Sequence, residues 1–319
     1  MRPAVLPARQ RPLRHVVLAG LTVLTTSFTF HVIFGGPGAA LAPSLAFGAT
    51  VVAILGSHEL GHWYLARVHR VDVSLPYFLP TPMLGFGTLG AVIHIRGAIP
   101  HRNALVDIGA AGPLVGLAVA LPLLWWGLLH SPVVPAMAEP QALAGPGTLW
   151  WMAGQLPEAW HRGSLSPLLA TGGSASVGIV FGDNLLLWFL KRVVLEIPDP
   201  LDVAPHPVVI AAWMGLLVTM LNLLPIGQLD GGHLAYALLG RRARRVGQLS
   251  LGLLMGLALV ASAGWAVWLL ITMGLVGTRH PPLLDEALPL SRGRRWTCAA
   301  CTVALVLCLI PVPMRAVVA

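Results

Sequence analysis

Long apolar runs, separated by short polar or glycine- and proline-rich stretches, dominate the chain. A transmembrane helix needs about 20 predominantly apolar residues. By that measure the pattern predicts six membrane-spanning helices, near 16–34, 45–67, 104–129, 207–224, 247–275 and 297–313. The predicted fold class is therefore an all-α polytopic membrane protein with a lipid bilayer around its helices.

Three segments depart from the helical pattern. Residues 75–102 contain too many prolines and glycines for a helix, and their run GTLGAVIHIRG predicts a short membrane-associated β-strand or hairpin near 85–97. Non-helical backbone at membrane depth must be buried in protein or line a wet cavity, so we expect a cavity wall here. Residues 131–174 predict an aqueous loop. Residues 176–197 are apolar but interrupted by Gly, Asp and Asn, which fits either an interfacial or a re-entrant segment.

The composition agrees with a membrane protein. Hydrophobic residues make up 56% of the chain and charged residues only 10%, against about 25% charged in soluble domains. The net charge of +8 comes from arginines clustered at 9–14, 67–70, 241–245 and 292–295, between the apolar runs. Such clusters set membrane topology, and they exclude nucleic-acid binding as the expected role.

Positive charge predicts which ends of the helices face the cytosol. Residues 2–14, 67–102 and 241–245 belong there, but helix counting puts the basic loop 277–296 outside. Either one segment is miscounted or this loop is an exception. The N-terminus resembles a signal sequence, although the length of its apolar run favours an uncleaved helix. Without an obvious transit peptide, a prokaryotic cytoplasmic membrane is favoured, with organelle membranes left open.

The stretch SHELGHW, residues 57–63, places ionisable groups inside a predicted span. His58 and His62 are four residues apart and share one helix face, with Glu59 beside them. In this HExxH arrangement two imidazoles hold zinc and the glutamate acts on a water. The alternative is a chance pattern. A charged group at the bilayer centre costs at least about 2.5–3.5 kcal/mol, which favours the functional interpretation.

A second polar cluster, LNLLPIGQLDGGH at 221–233, ends another predicted span. Pro225 and three glycines should break the helix there and bring Asn222 and Asp230 to one place. A catalytic zinc site needs three protein ligands and an open position. Asp230 is the obvious third ligand, and the alternative is an N-cap of the following helix. The expected cofactor is one Zn²⁺ per chain.

HELGH in one span, followed by N-x-x-P-x-x-x-x-D-G, resembles the site-2 protease family of intramembrane zinc metalloproteases. The matching residues here are His58, Glu59, His62, Asn222, Pro225, Asp230 and Gly231. FGTLGAVI and GAAGPLVG are similar to that family's membrane strand and small-residue helix, and Gly112 and Gly116 form a pair that predicts close helix packing.

This resemblance implies a role for each matched residue. His58, His62 and Asp230 would hold zinc, Glu59 would be the catalytic base, and Asn222 would contact the oxyanion or the substrate. The predicted strand, with Gly87, Thr88 and Gly90, is a candidate for binding the unwound substrate.

The predicted organisation has three parts. Residues 1–44 form a basic tail and the first span, residues 45–240 the protease core with its aqueous loop, and residues 241–319 the C-terminal helices and basic loop. The predicted function is endoproteolysis of transmembrane protein substrates. A metal-binding transporter and a non-catalytic scaffold are the alternatives, and Glu59 argues against both. A prenyl-processing HExxH protease is the nearest enzymatic rival, and Asp230 argues against it. The sequence indicates neither a substrate nor an oligomeric state.

Overall fold

The computed structural model describes residues 12–35, 38–82, 85–136, 148–162, 177–277 and 283–318. The helices there are α1 (Pro12–Phe34), α2 (Leu41–Val68), α3 (Arg102–Leu129), α4 (Leu149–Arg162), α5 (Leu185–Phe189), α6 (Pro207–Leu223), α7 (Asp230–Leu239), α8 (Ala243–Val260), α9 (Gly264–Ile271) and α10 (Arg292–Cys308). The strands are β1 (Tyr77–Pro80), β2 (Thr88–Val92), β3 (Val133–Pro135), β4 (Val177–Phe181), β5 (Leu201–Val203) and β6 (Met314–Val318).

Four helical stretches in the described residues are long and apolar enough to cross a membrane, judged by length and composition. They are α1, α2, α3 and Asp230–Val260, which joins α7 and α8. The first three coincide with predicted spans, so the chain is a membrane protein, but the count of six is not confirmed. The predicted fourth span is the shorter apolar helix α6.

The last two predicted spans differ from the observed helices. Residues 247–275 are not one helix, because α8 ends at Val260 and α9 starts at Gly264. The N–H groups of Ala261 and Ser262 both donate to the Leu257 carbonyl, so the regular helical hydrogen bonding ends there. The predicted helix 297–313 starts earlier, at Arg292, and ends at Cys308, just before Pro311 and Pro313. Proline removes a backbone donor from a helix and disfavours helical backbone at the residue before it, which favours the early end.

The chain divides into two compact units. The first unit comprises Met1–Pro132, Ala204–Leu223 and Pro281–Thr302, and the second comprises Val133–Val203, Leu224–His280 and Val303–Ala319. In the first unit α2 packs against α1, α3 and α6. Its large, fully buried side chains include Phe47, Ile54, Leu105, Trp213 and Leu216. Helix α2 therefore runs through the middle of this unit.

The strand predicted near 85–97 is present in the first unit as β2, whereas the strand that pairs with it, β1, lies before the predicted range, at Tyr77–Pro80. Strands β1 and β2 pair antiparallel, with Tyr77 opposite Val92 and Phe78 opposite Ala91, and an irregularity follows Phe78. The hairpin packs against α1 and, through β2, against α2. A Cβ atom placed on Gly56 of α2 would lie 3.2 Å from Cζ of Phe78. The hairpin therefore packs against α2, the helix that carries the HExxH residues.

In the second unit the segment 176–197, described from residue 177 onwards, is not one continuous helix. It contains strand β4, which pairs with β6, and the short helix α5 with a following π-helical turn. Asn184 caps α5 by accepting a hydrogen bond from the Leu187 N–H at 2.7 Å. Asp183 contacts the buried ammonium of Lys191 at 2.7 Å, and Asp202 contacts it at 2.6 Å. Burial raises the pKa of the Asp183 carboxyl above its ordinary value, and Lys191 opposes that shift.

The predicted aqueous loop 131–174 contains regular structure where it is described. Strand β3 pairs antiparallel with β5, and the apolar residues at 149–152 lie in α4, which packs against α8. The prediction rested on composition, and it missed that apolar residues recur often enough in LWWMAGQLPEAWHR to form a helix. Residues 137–147 and 163–174 of this loop lie outside the described residues.

The basic loop 277–296, described from Leu283 onwards, lies at the N-terminal end of α3. The Asp285 N–H donates to the Pro100 carbonyl at 2.9 Å, and the Ser291 N–H donates to Asn103 Oδ1 at 2.9 Å. Arg294 Nη2 donates to Asp107 Oδ2 at 2.6 Å. Since this end of α3 also carries the arginines expected in the cytosol, the loop belongs on that side. Residues 247–275, counted as one span, are two helices, and α9 packs against α8.

Cysteine labelling tests this topology, because the native Cys298, Cys301 and Cys308 are all buried. A cysteine at Ala287, which is exposed, is expected to react with a membrane-impermeant maleimide from the same side as a cysteine at Arg70. A cysteine at His130, beyond the opposite end of α3, should react only from the other side. Labelling of the Ala287→Cys variant together with the His130→Cys variant would contradict the assignment.

Candidate metal centre

Helix α2 carries His58, Glu59 and His62, and it buries all three in the first unit. Their exposed fractions are 4%, 9% and 6%. The flanking residues are apolar or small, so the segment continues as one helix from Leu41 to Val68. Burial of three ionisable side chains is costly unless they bind a partner. Their position matches the sequence prediction and supports a functional centre.

The two imidazoles converge on one point. His58 Nε2 and His62 Nε2 are 3.1 Å apart. His62 Nδ1 lies 2.7 Å from the Ile108 carbonyl oxygen, and because a carbonyl only accepts, Nδ1 carries the proton and Nε2 carries the lone pair. Two nitrogens bound to one tetrahedral zinc at 2.0–2.1 Å are about 3.3 Å apart. The spacing and the tautomer of His62 therefore fit metal binding.

Helix α3 makes room for these imidazoles with glycines. A methyl group at Gly112 would overlap the His62 ring, and one at Gly116 would lie 3.2 Å from His58 Cβ. On the opposite helix, a Cβ atom at Gly61 would lie 2.7 Å from the Ala111 carbonyl oxygen. The predicted close packing of the small-residue pair is thus observed. Its consequence is a direct contact between the α3 backbone and the histidines.

Asn222 lies beside the histidine pair. It is in the last turn of α6, which ends at Leu223, and its amide nitrogen is 3.4 Å from His58 Nε2. This contact joins α6 to α2 within the first unit, although Asn222 and His58 are 164 residues apart in the sequence. The amide is close enough to act on a group bound at the imidazoles.

Asp230 lies in the second unit, where it is the first residue of α7. The N-cap is Leu229, whose side chain makes no capping hydrogen bond. The alternative role of Asp230 as an N-cap is therefore wrong. The break before it has the predicted cause: α6 ends ahead of Pro225, and Gly227 has a φ of +51°. Two imidazoles and a carboxylate are a donor set that suits zinc, and the ligand set His58, His62 and Asp230 stays a prediction.

The predicted strand residues lie on the hairpin of the first unit. Gly87 precedes β2 and has a φ of +87°, and Gly90 within β2 has a φ of +104°. Thr88 begins β2, and its hydroxyl donates to the Leu79 carbonyl at 3.0 Å. The Thr88 side chain therefore holds the hairpin itself together. Substrate binding by this strand is taken up below as a proposal.

The partners of two side chains near the site, His62 and Asp107, had no signal in the sequence pattern. The Ile108 carbonyl that orients His62 is a backbone group, so no residue type could reveal it. One residue earlier, Asp107 binds His69 at 2.8 Å as well as Arg294. This ion cluster joins α2, α3 and α10 at one end of the first unit. The cluster forms between residues far apart in the sequence, so only the tertiary structure reveals it.

Comparison with known proteins agrees with this geometry. The model of Peptidase family M50 matches residues 46–263. The match covers α2, the hairpin, α3, α6 and the Asp230 segment. The chain therefore belongs to Peptidase family M50, which confirms the resemblance to site-2 proteases.

Among its relatives, "Probable zinc metalloprotease EGY1, chloroplastic" of Arabidopsis thaliana is 30% identical over 84% of this chain and 42% of its own length. The protein of the same name from Oryza sativa subsp. japonica is 31% identical over 84% of this chain and 40% of its own length. The chain thus spans about four-tenths of these relatives. Their chloroplast designation conflicts with the expected prokaryotic membrane. No solved structure matches the chain.

Proposed function

We propose that this chain is a zinc metalloendopeptidase that hydrolyses peptide bonds in or near the transmembrane segments of other membrane proteins. The observation that carries the proposal is the buried pair His58 and His62, with Glu59 beside it, on a membrane-length helix. Membership of Peptidase family M50 and the names of the EGY1 relatives support the same activity.

His58, His62 and Asp230 would hold one zinc ion. Bound zinc supplies Lewis acidity, which lowers the pKa of a water and polarises a carbonyl. The Ile108 carbonyl fixes His62 in the tautomer that presents Nε2. This orientation is set before any ligand arrives, so little of it has to be arranged on binding.

Glu59 is the catalytic base in this proposal. Its carboxylate takes a proton from the attacking water and passes it to the leaving amine. Because Glu59 is only 9% exposed, bulk water does not compete for that proton transfer. Asn222, whose amide nitrogen is 3.4 Å from His58 Nε2, donates a hydrogen bond to the oxyanion or to the substrate.

The hairpin supplies the substrate-binding edge. A helical substrate hides its carbonyls in its own hydrogen bonds, so the segment to be cut must unwind. An unwound strand can pair with the free edge of a short sheet by β-augmentation. Among the described residues, strand β2, which contains Thr88 and Gly90, pairs with β1 alone, so its other side offers such an edge. Strand β2 also packs against α2. Strand addition there brings the substrate backbone next to the helix of the histidines.

The wild-type protein in detergent is expected to bind one zinc per chain and to cut single-span membrane substrates. Chelation should stop cleavage and added zinc should restore it. Asp230→Asn is expected to lose most of the zinc, because a neutral amide oxygen is a poorer ligand than a carboxylate. Asp199→Asn is a matched control, since that carboxylate is 86% exposed in the same unit.

Metal content by mass spectrometry and product analysis on gels measure these outcomes. A zinc-loaded wild type that cuts none of a panel of competent substrates would contradict the proposed protease function and favour a transporter or scaffold. Full zinc content in Asp230→Asn would refute its role as a ligand and leave the protease proposal standing.

A further inference from the structure

An isolated two-stranded hairpin is marginally stable at best in water, so the position of β1 and β2 depends on what they pack against. Beside α2, the main neighbour is α1, Pro12–Phe34. Helix α1 lies outside the residues 46–263 that match the family model. Its contacts with the hairpin therefore join the matched residues to a helix outside the match.

The first anchor is at the turn of the hairpin. The Thr25 hydroxyl donates to the Gly87 carbonyl at 2.8 Å. The same carbonyl accepts the N–H of Thr81 at 3.1 Å, the bond that closes the turn between the strands. A carbonyl oxygen has two lone pairs, so these two donors saturate it. Thr25 thus completes the hydrogen bonding of the residue that leads into β2.

The backbones of the two elements touch at this anchor. A Cβ atom on Gly87 would lie 2.5 Å from the Thr25 carbonyl oxygen and 2.6 Å from Thr26 Cα. Gly87 also has a φ of +87°, which side chains other than glycine rarely adopt. Gly90 has a similar φ, yet nothing lies within 4 Å of its added Cβ. The close approach to α1 is therefore specific to Gly87.

The second anchor is at the entry to β1. His15 Nδ1 donates to the Pro76 carbonyl at 2.9 Å, and its ring lies 4.3 Å from the ring of Tyr77. His15 and Thr25 are ten residues apart on α1, or about 15 Å along the helix axis. Two anchors at this separation determine both the position and the direction of the hairpin.

We propose that Thr25 is a positioning residue for proteolysis, because it holds β2 in place along α1 and so sets which substrate bond reaches the catalytic centre. This inference rests on the proposed function, with β2 as the substrate-binding strand. Register is weakly specified in glycine-rich strands, so a fixed position of β2 limits the registers in which a substrate strand can pair with it. Loss of the Thr25 hydroxyl would release β2 at the end where Gly87 contacts α1.

Thr25→Val is the direct test, since valine keeps the shape and removes the hydroxyl. Thr25→Ser restores the donor. Thr22→Val is the matched control, because the buried Thr22 hydroxyl donates only within its own helix, to the Leu18 carbonyl at 2.9 Å. One net hydrogen bond of about 0.5–1.5 kcal/mol corresponds to a KM increase of roughly two- to twelvefold.

The expected result has three parts. Thr25→Val raises KM with little change in kcat, cuts additional bonds next to the wild-type site, and exchanges the amide hydrogens of residues 85–92 faster without substrate. Thr25→Ser and Thr22→Val behave like the wild type. A defect of folding alone would instead lower zinc content and all products together.

Wild-type KM, cleavage pattern and amide exchange in Thr25→Val would overturn the inference, as would equal effects of Thr22→Val. If the zinc-loaded wild type cuts no substrate, the proposed function fails and the role of Thr25 in proteolysis fails with it. If the wild type cuts and Thr25→Val is unchanged, only the role of Thr25 fails.

Discussion

Glu59→Gln is expected to abolish peptide-bond hydrolysis and to leave one zinc bound per chain. Glutamine has the shape of glutamate but cannot take a proton from water, and general acid–base catalysis contributes about 10²–10⁴-fold to a rate. Glu59 is only 9% exposed, and a buried amide is less costly than a buried carboxylate. The variant should therefore fold and keep its metal, so the loss is confined to chemistry.

Zinc content and cleavage rate must be measured on the same preparation. Glu158→Gln on α4 is the matched control, because that side chain is exposed in the second unit, and it should cut at the wild-type rate. Retention of more than about a tenth of the wild-type rate by Glu59→Gln would exclude Glu59 as the base. Loss of zinc from Glu59→Gln would instead indicate a role in holding the metal.

Gly112→Ala is expected to weaken zinc binding strongly, although the substitution adds one methyl group. That methyl would overlap the His62 imidazole. The His62 ring cannot simply turn away, because its Nδ1 donates to the carbonyl of Ile108, which lies one turn before Gly112 on α3. Moving α2 and α3 apart would relieve the overlap, but it would also break the close packing of Gly61 against the Ala111 carbonyl. Overpacking of about 1–3 kcal/mol would weaken zinc binding roughly 5- to 150-fold.

Zinc titration against a competing chelator measures this change, and a melting curve separates it from unfolding. Gly252→Ala is the matched control, because a Cβ at that helical glycine meets nothing within 4 Å, and alanine favours a helix. Gly116→Ala should be intermediate, since its Cβ would lie 3.2 Å from His58 Cβ. Zinc affinity of the wild-type value in Gly112→Ala would show that the α2–α3 contact does not constrain the imidazoles.

Where the sequence prediction succeeded, the deciding interactions were local. Helices α1, α2 and α3 follow from long apolar runs, because a backbone in lipid must satisfy its own hydrogen bonds. Strand β2 followed from glycines and β-branched residues after Gly85, and the break after α6 followed from Pro225, whereas β1 lies before the predicted range. The prediction of one helix over 247–275 failed because a run of apolar residues does not show where one helix ends and the next begins. Here α8 ends at Val260 and α9 starts at Gly264.

The sequence by itself determined that the chain is a membrane protein and that His58, Glu59 and His62 share one helix face, since both follow from residue type and helical spacing. The tertiary structure alone decided which ring nitrogen of His62 carries the lone pair, namely Nε2. It also decided that Asn222 lies beside His58 and that the loop from Leu283 lies at the N-terminal end of α3. These features depend on groups that are between 46 and 188 residues apart. Contacts of that kind arise only when the chain folds back on itself, and several use backbone carbonyls that every residue carries. No pattern of side chains along the chain can encode them by itself.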